Sequence, residues 1–257
     1  IDWGFRGNAL DVPTDCPQRD ERAGWTGDAQ VFAKTALFVR NSGAFFSKWL
    51  VDLVEDSQRE DGALADVAPY INAVGHGSAA WEDAGVIVTY RMWEMQADTQ
   101  VIKDHWAGLT RYMEHLEKSS PGGIRGPGSY GDWLLLDGPQ RSNVHGTAYY
   151  IRCADLMAQM AQAIGKPEEA ARYRGVATRV RAAFNEKFVS ADGQVTDGGK
   201  TSQTFYALAL DWNLLPARLR PQAGMHLERL LKSRGGKLAT GFIGTPLLLP
   251  ALAGSGR

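Results

Sequence analysis

The stretch "VIKDHWAGLTRYMEHLEK", Val101 to Lys118, decides the fold class. Ile102, Trp106, Leu109, Met113 and Leu116 return every three or four residues. That spacing lines one face of a helix with apolar side chains, and it predicts an amphipathic helix over 100–118.

The same period continues on both sides. Phe46, Leu50 and Leu53 carry it upstream; Tyr150, Ala154, Met157, Ala161 and Ile164, then Tyr173, Val176, Val180 and Phe184, carry it downstream. Strict alternation, the pattern of a half-buried strand, is almost never sustained. About nine helices are predicted, over 29–39, 42–57, 81–97, 100–118, 145–164, 167–188, 201–212, 216–234 and 244–252, so the chain is all-α. Short breaks such as "NSG" at Asn41 and "GKPEE" at Gly165 imply antiparallel helix pairs, while the long connections at 58–80 and 119–144 supply loops from which a cleft is built.

Composition narrows the function classes. A chain of 257 residues with 44% hydrophobic content can bury a sizeable core, and no linker-like segment divides it, so residues 1–257 are read as one domain. A formal net charge of −1 offers no concentrated basic face for nucleic acid or anionic lipid. No apolar run is long enough to span a bilayer, and Ile1 opens into "IDWGFRGN" without the basic and apolar regions of a leader, which slightly favours a cytoplasmic location. The missing initiator Met suggests that the start is not native. Cys16 and Cys153 are too few for a disulfide framework and are predicted to be buried free thiols.

The chemistry concentrates in "PTDCPQRDERAGWTGDAQ", Pro13 to Gln30. Pro13 and Pro17 stiffen this loop, Gly24 and Gly27 permit a tight path, and Asp28 stands where it would cap a helix beginning near Ala29. One reading leaves Arg19, Asp20, Glu21 and Arg22 as a solvated charge cluster. The other starts from Trp25 in their midst: an aromatic ring stacks on the C–H face of a sugar while charged groups bind its hydroxyls. A carboxylate in such a cluster can also act as a general acid if like-charged neighbours or burial keep it protonated.

Other constellations carry less. "DGGKTSQT" at Asp197 lacks the first glycine of a phosphate loop and has no strand before it. No histidine pair has metal-ligand spacing: His76 and His145 lie in Gly-flanked loops that could rim a pocket, and His105, His115 and His226 fall within helices. Neither a cofactor nor a metal is implied. Asp132, following Gly131, is expected to bond its own turn.

The run "DVPTDCPQRDERAGWTGDAQ" closely resembles the signature of the bacterial α-L-rhamnosidases of glycoside hydrolase family 78, as do "WEDAGVIVTYRMWEMQAD" from Trp81, "YGDWL" from Tyr130, "TSQTFYALAL" from Thr201 and "TGFIGTPLLLPAL" from Thr240. Ala23 departs from the Leu usual in that family. The resemblance implies an (α/α)6 toroid of six helical hairpins, of which about nine of twelve helices are present. It implies Glu21 as general acid, and Asp15, Arg19, Trp25, Asp28, Trp81 and Trp133 as substrate-binding residues, although each tryptophan would also serve as a core residue. The implied substrate is a rhamnose-containing glycoside or polysaccharide, cleaved with inversion at its terminal non-reducing α-L-rhamnose.

Inversion requires a second carboxylate to activate water. In relatives it is a Glu in a Trp-Glu-Arg motif beyond the "GTPLLLPAL" helix, and the sequence stops at Arg257 before any such motif. The chain is therefore expected to be a truncated catalytic domain without its general base, prone to self-association through incompletely covered helices. Two alternatives remain at this level: a non-catalytic fragment keeping a carbohydrate-binding half-site, and another six-hairpin glycosidase.

Overall fold

The structure, a computed structural model, describes residues 1–256. Among these residues there are ten α-helices and only isolated β-bridges. They are α1 (Asp2–Asn8), α2 (Thr26–Val39), α3 (Gly43–Val51), α4 (Ala84–Gln96), α5 (Gln100–Ser119), α6 (Asn143–Ala163), α7 (Pro167–Phe188), α8 (Gln203–Asp211), α9 (Arg220–Ser233) and α10 (Thr245–Gly254). The chain divides into two compact units, Ile1–Ser119 with Cys153–Arg174, and Ser120–Arg152 with Gly175–Arg257.

In the first unit, α4 packs against α2, α3 and α5. The stripe that announced α5 is buried, as Val101, Ile102, Leu109, Tyr112, Met113 and Leu116. Trp106 departs from expectation: it is half-buried, edge-on to Tyr173, and His105 takes the inner position. After α3 the helix runs on through a π turn, Asp52–Asp56. Trp49, fully buried, donates its indole N–H to the Ala68 carbonyl at 3.0 Å and so ties the long loop over 58–80 to α3.

The sequence pattern did not anticipate α1. It is seven residues long with two glycines, and its only buried side chain is Phe5. Tertiary contacts sustain it: Phe5 lies 5.4 Å from the Phe32 ring and 6.3 Å from the Phe45 ring, and Asp2 pairs with Arg40 at the end of α2. A second difference concerns α4, which starts at Ala84, three residues later than predicted. Asp83 instead accepts hydrogen bonds from the Ala80 amide (2.7 Å), the Tyr112 hydroxyl (2.8 Å) and the Cys153 thiol (3.1 Å), which holds Ser78–Asp83 in turns.

In the second unit, α8 packs against α9 and α10. The "DGGKTSQT" stretch forms a small turn, with Asp197 and Lys200 paired across it. The Asp197 carboxylate accepts from the Asn143 amide (3.1 Å) and the Ser142 hydroxyl (2.7 Å), so it caps the start of α6. His145, expected in a pocket-rimming loop, lies in the first turn of α6 and is fully buried.

Candidate active site

The loop Pro13–Trp25 is held by backbone pairing with a segment forty residues away. Trp25 bridges Val67, Ala68 donates to the Gly24 carbonyl at 2.9 Å, and the Thr26 amide and hydroxyl both donate to the Asp66 carbonyl, at 3.1 and 2.9 Å. The two glycines of the motif are required by close approach: a Cβ on Gly24 would stand 2.1 Å from the Ala68 carbonyl oxygen, and one on Gly27 would stand 2.6 Å from the Trp81 ring. Asp66, itself buried, accepts from the Ser78 amide (3.2 Å) and hydroxyl (2.9 Å), which braces the partner loop.

This pairing moves the start of α2 forward. The helix begins at Thr26, so Asp28 falls within its first turn and does not cap it, contrary to expectation.

The sequence candidates Asp15, Arg19, Glu21, Trp25 and Asp28 all lie in the first unit. Carboxylate oxygens of Asp15 and Glu21 and the Cys16 sulfur all come within 4.8 Å of one another. Glu21 is exposed, ion-paired to Arg19, and accepts the indole N–H of Trp25 at 2.9 Å. Asp15 is held from the backbone, accepting the Ala23 amide on its carboxylate at 3.0 Å. Arg22, next to Glu21, has φ +48, a left-handed conformation uncommon for a non-glycine residue, and its Nε donates to the Arg19 carbonyl at 2.9 Å. Burial, then the negative charges of Asp15 and Glu21, push the Asp28 carboxyl up to about 6.

One of the two thiols differs from expectation. Cys16 is half-buried beside the carboxylates, where it accepts from Arg19 at 3.4 Å, whereas Cys153 is buried as predicted. Trp81 is only 4% exposed, its ring packed on the backbone of Gly27 beneath the first turn of α2. Trp133 belongs to the second unit and is 47% exposed, edge-on to Tyr130.

Asp132 does more than bond its own turn. It is fully buried, and its carboxylate accepts from Thr204 Oγ1 and from the amides of Gly241 and Ile243, both at 2.9 Å. Burial pushes its carboxyl up while these hydrogen bonds oppose the shift. Nothing in the local sequence around Asp132 signals partners so far along the chain.

A helical fold presenting carboxylates, an arginine and a tryptophan on one braced loop is the kind of site on which glycosidases act, since sugar binding needs paired acceptors beside an aromatic face. The chain belongs to the bacterial alpha-L-rhamnosidase six-hairpin glycosidase domain family, whose model matches residues 1–257. It is 46% identical to an alpha-L-rhamnosidase of Streptomyces avermitilis over 257 residues, covering 100% of this chain and 24% of that protein. It is 35% identical to one from Formosa agariphila, covering 28% of it.

The crystal structure of the Streptomyces avermitilis enzyme complexed with L-rhamnose matches with TM-score 0.94 and 44% identity, over 99% of this chain and 24% of that one. The enzyme from Dictyoglumus thermophilum matches with TM-score 0.91 and 32% identity, over 99% of this chain and 29% of that one. The fold class is thus the all-α six-hairpin glycosidase type. The chain spans about a quarter of the length of the curated relatives it matches.

Proposed function

We propose that this chain supplies the proton donor and most of the sugar contacts of an inverting α-L-rhamnosidase acting on terminal, non-reducing α-L-rhamnose. The observation that carries the reading is the meeting of Asp15, Glu21 and Trp25 on one loop, with Asp28 electrostatically coupled to both carboxylates. Glu21 is the exposed member and therefore the one that can reach a glycosidic oxygen; it gives up a proton as that oxygen leaves. The Trp25 N–H and Arg19 aim its carboxyl.

Asp15 and Asp28 accept from sugar hydroxyls, and a charged acceptor makes such bonds about twice as strong as a neutral one. Trp25 in the first unit offers a ring face on which a sugar stacks, and so, taken by itself, does the exposed Trp133 in the second. Trp81 acts from beneath, as the surface against which Gly27 sets the first turn of α2.

Inversion places a water-activating carboxylate roughly 6.5–9.5 Å from the acid. Asp83 in the first unit is fully buried and already committed to three donors. We therefore assign the base to a carboxylate other than Asp83. In the whole protein, Glu21→Gln is expected to lower kcat by about 10²–10⁴-fold on an alkyl rhamnoside, whose leaving group needs the proton, while rhamnose still binds. Unchanged turnover would remove Glu21 from the role. Proton NMR of the first-formed sugar tests the stereochemistry, because initial β-rhamnose is required by inversion and initial α-rhamnose contradicts it.

A further inference from the structure

The loop that carries Trp133 is clamped in an unusual way. Asp132, buried immediately before it, receives three donors from two distant segments: Thr204 Oγ1 from α8, and the Gly241 and Ile243 amides from the turn leading into α10. The same turn grips the next residue, since the Phe242 amide donates to the Trp133 carbonyl at 2.7 Å. On the loop's other side, the Asp132 amide donates to the Gln140 carbonyl at 2.8 Å. The backbone is thus fixed at Asp132 and at Trp133 itself.

The clamp also sustains a strained residue. Leu134 has φ +61, which a leucine adopts only where the surroundings over-determine it. Such strain is found where a loop must hold one conformation for a ligand. The indole of Trp133, half exposed and steadied edge-on by Tyr130, is what this conformation displays.

We propose that Asp132 is a positioning residue for sugar binding: its buried carboxylate clamp sets the Trp133 indole in the orientation that receives the rhamnose ring. This rests on the sugar-facing role proposed above for Trp133. Asp132 touches no substrate in this scheme and acts only through its neighbour. Its partners are all donors, so an amide in its place turns one N–H2 towards a backbone N–H and loosens the turn.

The test is a double-mutant cycle in the whole protein, reading rhamnose Kd together with KM and kcat on a nitrophenyl rhamnoside. Trp133→Ala is expected to raise Kd and KM about tenfold with kcat within about twofold, the pattern of lost uniform binding. Asp132→Asn is expected to raise Kd about fivefold in the parent and less than about twofold in the Trp133→Ala background, because a residue acting through Trp133 has nothing left to position. Equal effects of Asp132→Asn in the two backgrounds would overturn the proposal while leaving the role of Trp133 intact. Unchanged Kd in Trp133→Ala would overturn the sugar-facing role of Trp133 and this inference with it.

Thr204→Val, which removes one side-chain donor and leaves the backbone alone, covers the case in which Asp132→Asn does not fold. It is expected to raise Kd about threefold in the parent, with Thr204→Ser restoring it, and to have no effect without the Trp133 ring. A Thr204→Val protein that binds rhamnose like the parent would refute the clamp.

Discussion

Replacing Asp28 by Asn should stabilise the fold above neutral pH and leave it unchanged in acid. The folded carboxyl titrates at about 6 against an ordinary 3.8, chiefly because it is buried and then because Asp15 and Glu21 repel its charge. A carboxyl whose folded pKa is raised costs nothing below 3.8, where both states hold the proton. The cost grows between 3.8 and about 6, where only the unfolded state gives up the proton, and stays constant above that, where the folded state carries the charge in a poor place. A tenfold change in proton affinity is worth about 1.4 kcal/mol, so the ceiling is about 3 kcal/mol at pH 7.5.

Asp28 is only partly buried, and water screens part of that, which leaves about 1–2 kcal/mol. For a domain of this length, that corresponds to a gain of about 2–8 °C in Tm at pH 7.5 and none at pH 3.5. Differential scanning calorimetry of parent and Asp28→Asn, in closely spaced buffers from acid to mildly alkaline pH, reads the difference directly, and other groups cancel in it. A Tm difference that stays constant across the range, or an Asp28→Asn protein less stable than the parent at pH 7.5, would show that the buried charge is not the source of the cost. On the hydroxyl-accepting role proposed for its carboxylate, the same variant should also lose rhamnose affinity.

The opposite sign is expected at His145. Burial holds its imidazole down to about 3, against an ordinary 6.5, and neither ring nitrogen has a hydrogen-bond partner. The parent should therefore lose stability as pH falls from 6.5, by about 3 kcal/mol at pH 4.5, and His145→Leu should flatten that limb of the Tm profile. Gly27→Ala drives a methyl to 2.6 Å from the Trp81 ring and is expected to cost about 1–3 kcal/mol, with activity falling further than stability because α2 carries Asp28; a variant with the parent's Tm and urea midpoint would contradict it.

The helices were legible because burial on one face imposes a period, and that period survives in α5, α6 and α7 whatever they pack against. Where an element depends on partners distant in sequence, the pattern was silent. The α1 helix is held by Phe32, Phe45 and Arg40, none of which its own seven residues reveal. Likewise His105 displaces Trp106 from the inner row of α5, because a stripe read from spacing alone does not say which of two adjacent residues faces a neighbour.

Within the site, residue types were legible and their duties only partly so. The motif announced the carboxylates and Trp25, but the pairing of Gly24 with Ala68 is what draws the loop tight enough for Glu21 to meet both Asp15 and Trp25. That pairing also cancelled the capping role assigned to Asp28. Asp132 was underestimated for the same reason, its donors lying 72 to 111 residues along the chain.

The construction of the first-unit site follows from what it costs. Like charges on Asp15, Glu21 and Asp28 repel, Asp28 is charged where water is scarce, and Arg22 is held with φ +48. None of these would persist in a free loop, which would relax by spreading the carboxylates into solvent. The braces are therefore placed in backbone and core: Asp66 fixes Thr26, Trp49 fixes Ala68, and Trp81 backs Gly27. These contacts use buried groups, so Glu21 stays exposed with Arg19 as its partner. A substitution in the braces should accordingly weaken binding and stability together, whereas loss of the Asp28 carboxylate should weaken binding and raise stability. That divergence in sign separates the support from the site it holds.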